Sequence, residues 1–360
     1  MSVSKRTVQL LASLSAFALV FVAMACNNNG SSGPGTTSVS LTGAGATFPN
    51  PLYQKWLSEY SKLHPNVKID YQSIGSGGGI KQLKEQTVDF GASDAPMKDE
   101  ELKSASAEIL HIPTVLGAVV IKYNLEGISK PLQFSPDVIA DIYLGKIKKW
   151  NDPKITADNP GVTLPAADIT VVHRSEGSGT SAVFTDYLSK VSAEWKEKVG
   201  AGTSPSWPTG HGGKGNEGVT GQVKQTPNTI GYVELAYAVQ NNLPVAHIKN
   251  ASGNFVGPSI DAVVAAAADS AGSTPEDLRV SITNAPGAHS YPISSYTYIL
   301  VYKNQKDAGK GKALVDFMWW GIHDGESFAK ELRYAPLPDD IVKRAEAKIN
   351  SITANGTALR

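Results

Sequence analysis

The chain has 360 residues, 41% hydrophobic and 18% charged, which is long enough for two domains and ordinary for a globular protein, not a disordered one. Lys plus Arg and Asp plus Glu each number 33; setting aside Lys5 and Arg6 near the N-terminus leaves 31 against 33. A nucleic-acid binder would show a clustered basic excess, so that class is disfavoured, and any anion taken up must be held by local dipoles and one or two placed charges.

Residues 1 to 25 carry Lys5 and Arg6 and then an apolar run, Val8 to Ala25, that ends at the chain's single cysteine, Cys26. This reads as a secretory leader, since a membrane-spanning helix needs about 20 apolar residues and the run is slightly short. Two processing routes stay open. Ala23-Met24-Ala25 satisfies the small-x-small rule for ordinary cleavage, whereas Ala25-Cys26 ahead of the Asn/Gly/Ser stretch resembles a bacterial lipoprotein junction, with a flexible tether over residues 26 to 37. Ala23 and Met24 depart from the residues usual at such a junction. A lone cysteine at the cleavage point, without a disulfide partner and followed by a leash, favours lipidation.

From Val39 to Pro113 short strands and helices alternate: a strand near Ser40, a helix from Leu52, a strand Lys68 to Gln72, a helix from Gly79, a strand Phe90 to Ala92 and a helix Asp99 to Ala107. That alternation predicts an open, mostly parallel sheet with helices on its faces, whose ligands sit at the carboxyl ends of the strands. Val115 to Tyr123 is a nearly continuous apolar strand, and a second αβ region follows. Pro136 to Leu144 reads as a helix stopped by Gly145; the basic run Lys146 to Lys149 reads as a solvated face, with a partner surface as the alternative. Gly200 to Gly221 holds Gly210-His211-Gly212-Gly213-Lys214-Gly215-Asn216, which does not meet the P-loop pattern and is expected to be a mobile loop, a candidate lid. Ile230 to Glu234 and Ser294 to Tyr302 are strands, Asp261 to Ala271 and Ile341 to Ile349 helices. In the helix Ala313 to His323, the aromatics Phe317, Trp319 and Trp320 read as a core face.

Three places share one arrangement of strand, small-residue turn and helix start. Ile169 to His173 runs through Arg174-Ser175-Glu176-Gly177-Ser178-Gly179-Thr180-Ser181 into the helical stretch Ala182 to Lys190. Leu41-Thr42-Gly43-Ala44-Gly45-Ala46-Thr47-Phe48-Pro49 precedes the helix from Leu52, and Ser73-Ile74-Gly75-Ser76-Gly77-Gly78-Gly79 precedes the helix from Ile80. Helix starts carry backbone N–H groups without partners of their own, glycines admit close approach, and an arginine adds a forked donor set suited to a tetrahedral oxyanion. A glycine-rich turn alone is usually only a turn; three that could converge on one small anion are more telling. Asp94, in the loop after the third strand, would stand at the same edge, although a lone aspartate there is ordinarily a turn or cap residue.

Four segments, Leu41 to Pro49, Asp89 to Pro96, Asp141 to Trp150 and Gly177 to Ser181, resemble in sequence and order the phosphate-binding subunit of bacterial ABC phosphate importers, a likeness running from about Val39 to about Arg344. The resemblance implies an α/β fold of the two-lobed periplasmic-binding-protein (Venus-flytrap) type, hinged, each lobe a mixed sheet flanked by helices. Lobe one would be 38–115 plus 288–345 and lobe two 116–287, with 346–360 a C-terminal tail. It also implies phosphate ligands at Thr47, Phe48, Ser76, Asp94, Arg174, Ser178, Gly179 and Thr180, with Thr47, Ser76 and Asp94 on one lobe and Arg174, Ser178 and Thr180 on the other. No cofactor, metal or catalytic residue is expected; the partners would be inorganic phosphate and the permease subunits, and the location the periplasm or, through Cys26, the membrane surface. Three positions depart from the family pattern. Glu176 replaces an aspartate that pairs with the arginine, so a looser pair is expected; Gly77 replaces a frequent serine; and His173, where a second arginine can occur, should point opposite to Arg174 along the strand and be structural.

A dry cleft made only of donors would take phosphate or sulfate alike. One ionised acceptor, Asp94, breaks the tie, because hydrogenphosphate carries a proton to donate and sulfate does not. A sulfate or molybdate receptor would lack that acceptor. The rival is a secreted phosphatase acting on monoesters, since Ser, Arg and Asp beside a phosphate also describe a phosphoryl-transfer centre. Against it, the seven histidines show no close metal-ligand spacing, and no base stands near Ser76 or Ser178 in sequence.

Overall fold

The structure, a computed structural model, describes residues 38–128 and 130–360, so the leader, Cys26 and the tether lie outside the described residues. Eight strands in chain order, β1 (Val39–Gly45), β2 (Val67–Ser73), β3 (Phe90–Ser93), β4 (Ile109–Asn124), β5 (Thr170–Arg174), β6 (His211–Gly213), β7 (Thr229–Glu234) and β8 (Ser294–Tyr302), form one mixed sheet. Their spatial order is β2-β1-β3-β8-β4-β7-β5-β6. At one end β1 pairs parallel with β2 and β3, at the other β5 pairs parallel with β7 and β6, and the central β8 and β4 run antiparallel to their neighbours.

The sheet turns on β4, whose 16 residues are buried except the last, as an unbroken apolar run covered on both faces should be. Its first part, Ile109 to Ala118, pairs with β8, and its second, Val119 to Asn124, with β7. Two half-sheets are therefore joined through one strand, each half showing a row of strand-to-helix turns.

Helices seal the faces because their apolar residues recur every three to four positions. Asn50–Leu63, with Pro51 in its first turn where a missing N–H is harmless, buries Leu52, Tyr53, Trp56 and Tyr60. The Trp56 indole also donates to the Gly325 carbonyl at 2.8 Å. Burial of that size makes truncation of Trp56 cost about 3 to 5 kcal/mol. In Ala308–Gly321, Phe317 and Trp320 are core residues as expected, but Trp319 is only partly buried and carries the Arg360 guanidinium 3.6 Å above its ring. The basic run is a solvated face: Lys149 pairs with Asp168 at 2.9 Å and Lys146 with Glu194, while Ile147 and Trp150 turn inward.

Two expectations are corrected. Residues 346–360 are no tail: the helix Asp339–Asn350 runs into them, Ile349 and Ile352 are fully buried, and Thr353–Ala354 pairs with Asn304–Gln305 and with Thr357–Ala358. The glycine-rich part of the tract expected as a mobile lid is regular structure from His211 on, β6 pairing with β5 and the helix Gly215–Gln225 following at once; residues 200–210 are irregular. A strand of His-Gly-Gly carries no β-branched residue to announce it, and its pairing to β5 supplies what propensity lacks.

Candidate anion site

All eight residues singled out from the sequence are buried: Thr47, Phe48, Ser76, Asp94, Arg174, Ser178, Gly179 and Thr180. Thr47 and Phe48 follow β1, Ser76 opens the helix Ser76–Lys84 after β2, and Asp94 follows β3. Arg174 ends β5, Ser178 caps the helix Gly179–Val191 by accepting from the Ser181 N–H at 3.0 Å, and Gly179 and Thr180 are that helix's first residues. Helix starts from both half-sheets thus meet at one place, where unpaired N–H groups and the positive ends of helix dipoles favour an anion.

Glycine decides how closely they meet. A Cβ built on Gly179 would lie 2.3 Å from Ser76 Oγ and 2.5 Å from Asp94 Oδ2, and the Gly77 N–H donates across the seam to the Gly177 carbonyl at 2.9 Å. No other residue type permits that approach at position 179. The frequent serine at position 77 would likewise crowd Gly177, since a Cβ there falls 3.0 Å from its Cα.

Tyr237 donates to the Thr47 carbonyl and Tyr334 to the Phe48 carbonyl, each at 2.6 Å. Because the peptide is planar and trans, the Phe48 N–H points away from Tyr237. Tyr334 also lies 3.1 Å from Glu234, a fully buried carboxyl whose pKa is pushed well above its usual range by burial.

Arg174 is 3% exposed, with Nη1 donating to Thr180 Oγ1 at 3.1 Å and Nε to Glu176 Oε1 at 2.9 Å; Nη2 reaches the same carboxylate oxygen. The pair expected to be loose is doubly bonded. Glu176 is long enough to close back over the turn, and it also accepts the Gly215 N–H at 3.2 Å. His173 is half-buried and stacked on Trp207 with ring centroids 4.9 Å apart, its Nδ1 lying 2.9 Å from the Arg174 carbonyl, and strand alternation turns its ring to the face opposite the guanidinium.

Asp94, 1% exposed, has its two oxygens in different situations. Oδ1 accepts from the Thr297 hydroxyl at 2.9 Å; Oδ2 is buried with no hydrogen-bond partner among the described residues, beside Ser76 and Gly179. Burial pushes the carboxyl up to about 7, opposed by the Thr297 hydrogen bond and the Arg174 charge. An orphaned carboxylate oxygen among donors is costly unless something brings it a proton.

Sequence reasoning missed Asn216, the second residue of the helix Gly215–Gln225, which is fully buried. Its amide nitrogen donates to Thr47 Oγ1 at 2.7 Å and Thr180 Oγ1 at 3.2 Å. The signal was present: Gly213-Lys214-Gly215-Asn216 is a fourth strand-to-helix turn, hidden by the glycine content that made it look like a loop.

Ser76 Oγ accepts the Asp94 backbone N–H at 3.4 Å, and Ser178 Oγ that of Ser181 at 3.0 Å. Among the described residues no three His, Cys, Asp or Glu side chains are grouped to hold a metal.

A mixed α/β sheet in two halves, with a buried set of donors and one acceptor between them, defines a two-lobed solute-binding protein. A model of the PBP superfamily domain matches residues 30–319. The phosphate-binding protein PstS of Xylella fastidiosa (strain 9a5c) is 49% identical over 313 residues, 87% of this chain and 85% of its own length. That of Methanocaldococcus jannaschii is 40% identical, covering 97% and 96%. The crystal structure of a phosphate-binding protein from Stenotrophomonas maltophilia shares the fold at a TM-score of 0.67 and 21% identity, over 88% of this chain and 97% of that one. The chain belongs to the PBP superfamily and, within it, to the family of PstS phosphate-binding proteins.

Proposed function

We propose that this chain binds inorganic phosphate between its two half-sheets and delivers it to an ABC permease for import. The observation that carries the reading is Oδ2 of Asp94, buried beside Ser76 and Gly179 with no hydrogen-bond partner among the described residues. Hydrogenphosphate fills both needs: its bare oxygens take the Arg174, Thr47, Ser76, Ser178 and Thr180 donors and the N–H groups of Phe48 and Gly179, and its hydroxyl donates to Asp94. The names of the relatives support binding rather than catalysis, and none of them supports the phosphatase alternative. The lobes are assigned as 38–115 plus 288–345 and 116–287, a division supported by the hand-over of β4 from β8 to β7 at residues 118 and 119.

Export follows from the leader pattern, and lipid attachment at Cys26 would hold the domain at the membrane surface on its tether. Detergent phase partitioning of the wild type and Cys26→Ser tests this: an anchored wild type moves to the detergent phase and the variant does not, whereas equal partitioning rejects the anchor. For the ligand, calorimetry with phosphate, arsenate and sulfate is decisive. Phosphate and arsenate, which carry a proton, should bind; sulfate should not, and sulfate binding as tight as phosphate would reject the acceptor argument.

A further inference from the structure

Asn216 touches two of the proposed ligand residues at once, one from each half-sheet, and the hydrogen-bond count at each is complete on one side only. A threonine hydroxyl has one hydrogen to donate and two lone pairs to accept with. Thr47 Oγ1 receives the Asn216 amide at 2.7 Å and the Asn216 backbone N–H at 3.3 Å. Thr180 Oγ1 receives the other Asn216 amide hydrogen at 3.2 Å and Arg174 Nη1 at 3.1 Å. Both lone pairs of both oxygens are taken, and neither hydroxyl hydrogen has an acceptor among the described residues.

The direction of the amide is fixed independently. Its Oδ1 accepts the Glu234 backbone N–H at 2.9 Å, a group that can only donate, so the nitrogen must face the threonines. Asn216 is fully buried, which removes water as a competing partner.

We infer that Asn216 is a positioning residue which, by filling the acceptor sites of Thr47 and Thr180, obliges both hydroxyls to donate into the site and so requires bare acceptor oxygens of the ligand at those two positions. This rests on the phosphate reading and sharpens it. The site then sorts protons by place: two threonines accept only unprotonated oxygens, and Asp94 is left as the position where a protonated one fits. A ligand with a second proton has nowhere to put it without losing a donor, so the monoprotonated dianion is the preferred form. Because the amide joins Thr47 to Thr180, the same residue ties the two half-sheets together in this arrangement.

The test is a double-mutant cycle read by calorimetry of the full chain with inorganic phosphate at pH 8. Asn216→Ala frees the threonine lone pairs and lets each hydroxyl turn away from the anion; Thr47→Val with Thr180→Val removes the hydroxyls while keeping the side-chain shape. In the wild-type background Asn216→Ala should weaken phosphate roughly 10- to 100-fold, the range for hydrogen bonds to charged groups. In the double-valine background the same change should cost less than about twofold, because nothing is left to orient. Equal losses in both backgrounds, or a loss under twofold in the wild type, would overturn the inference. Thermal melts accompany each titration, and if Asn216→Ala does not fold, Asn216→Ser enters the same cycle with the same expected non-additivity. A second readout is the pH profile: wild-type affinity should fall as pH drops from 8 to 6 and the dianion is lost, and Asn216→Ala should flatten that fall, whereas an unchanged slope would count against orientation. A wild type that binds no phosphate at all would reject the phosphate reading itself, an outcome distinct from additivity in the cycle.

Discussion

Asp94→Asn isolates the acceptor argument, because it keeps shape and changes both charge and hydrogen-bond polarity. Thr297 can still donate to the Asn oxygen in place of Oδ1, and the amide nitrogen then occupies the position of the unpartnered Oδ2. A donor now faces the phosphate hydroxyl, and even the flipped amide offers only an uncharged acceptor. Losing a charge-assisted bond costs about 1.5 to 3 kcal/mol, so the phosphate Kd at pH 8 should rise roughly 10- to 150-fold. Sulfate, no longer opposed by a lone pair, should begin to bind. Stability should move the other way. The folded carboxyl titrates at about 7, against a reference of 3.8, so the ligand-free wild type pays an ionisation cost that is absent near pH 4, grows through the interval and is complete above pH 7. Three pH units correspond to an upper bound of roughly 4 kcal/mol. Ligand-free Asp94→Asn should therefore melt higher than wild type at pH 8 and nearly level with it at pH 4. Calorimetry with both anions and melts at both pH values make the full test; unchanged selectivity together with an unchanged or lower melting point at pH 8 would refute the reasoning.

Arg174→Ala removes the cation from a buried set that also holds Glu176, and truncating one partner of such a pair costs about 3 to 5 kcal/mol; phosphate affinity should fall at least 100-fold, and a change under threefold would place the guanidinium outside the binding set. Gly179→Ala drives a methyl into Ser76 and Asp94, so the protein should still fold by circular dichroism while phosphate affinity collapses, with small-angle scattering reporting a larger radius of gyration in saturating phosphate than the wild type shows. Lys122, fully buried with its Nζ unpartnered among the described residues, is pushed down to about 7 by burial and by the nearby Lys224 charge. The unfolded chain holds that proton up to about pH 10.5, so wild-type stability should rise between pH 7 and 10.5, and Lys122→Met should raise stability at pH 7 by up to about 4 kcal/mol and change it little at pH 10.5; denaturant melts at the two pH values check the slope.

The elements with strong local signals were legible. Ser294 to Tyr302 coincides with β8, and the alternation before Pro113 matches the first half-sheet, because β-branched runs, glycine stops and proline at a helix start act over a few residues. The helix predicted over Asp99 to Ala107 is shorter, Asp99–Lys103, since its acidic first turn is favourable but none of its residues is fully buried to extend it. The turn arrangement and the family likeness together named eight residues that the fold brings to one buried place. What they could not supply was the fourth turn. His211 to Gly213 is a strand only because β5 lies beside it, and Asn216 is in the site only because Thr47, 169 residues earlier, reaches it.

The sequence by itself determined where helices begin and which residue types stand there, since capping, glycine freedom and apolar period are local properties. Tertiary structure alone decided the chemistry of the pocket. It left one oxygen of Asp94 without a partner among the described residues and raised the pKa of that carboxyl by taking it out of water. It doubled the Arg174 to Glu176 link and set the direction of two threonine hydroxyls through Asn216. These are consequences of which groups exclude water from one another, and that depends on contacts between segments far apart in the chain, which no window of sequence contains.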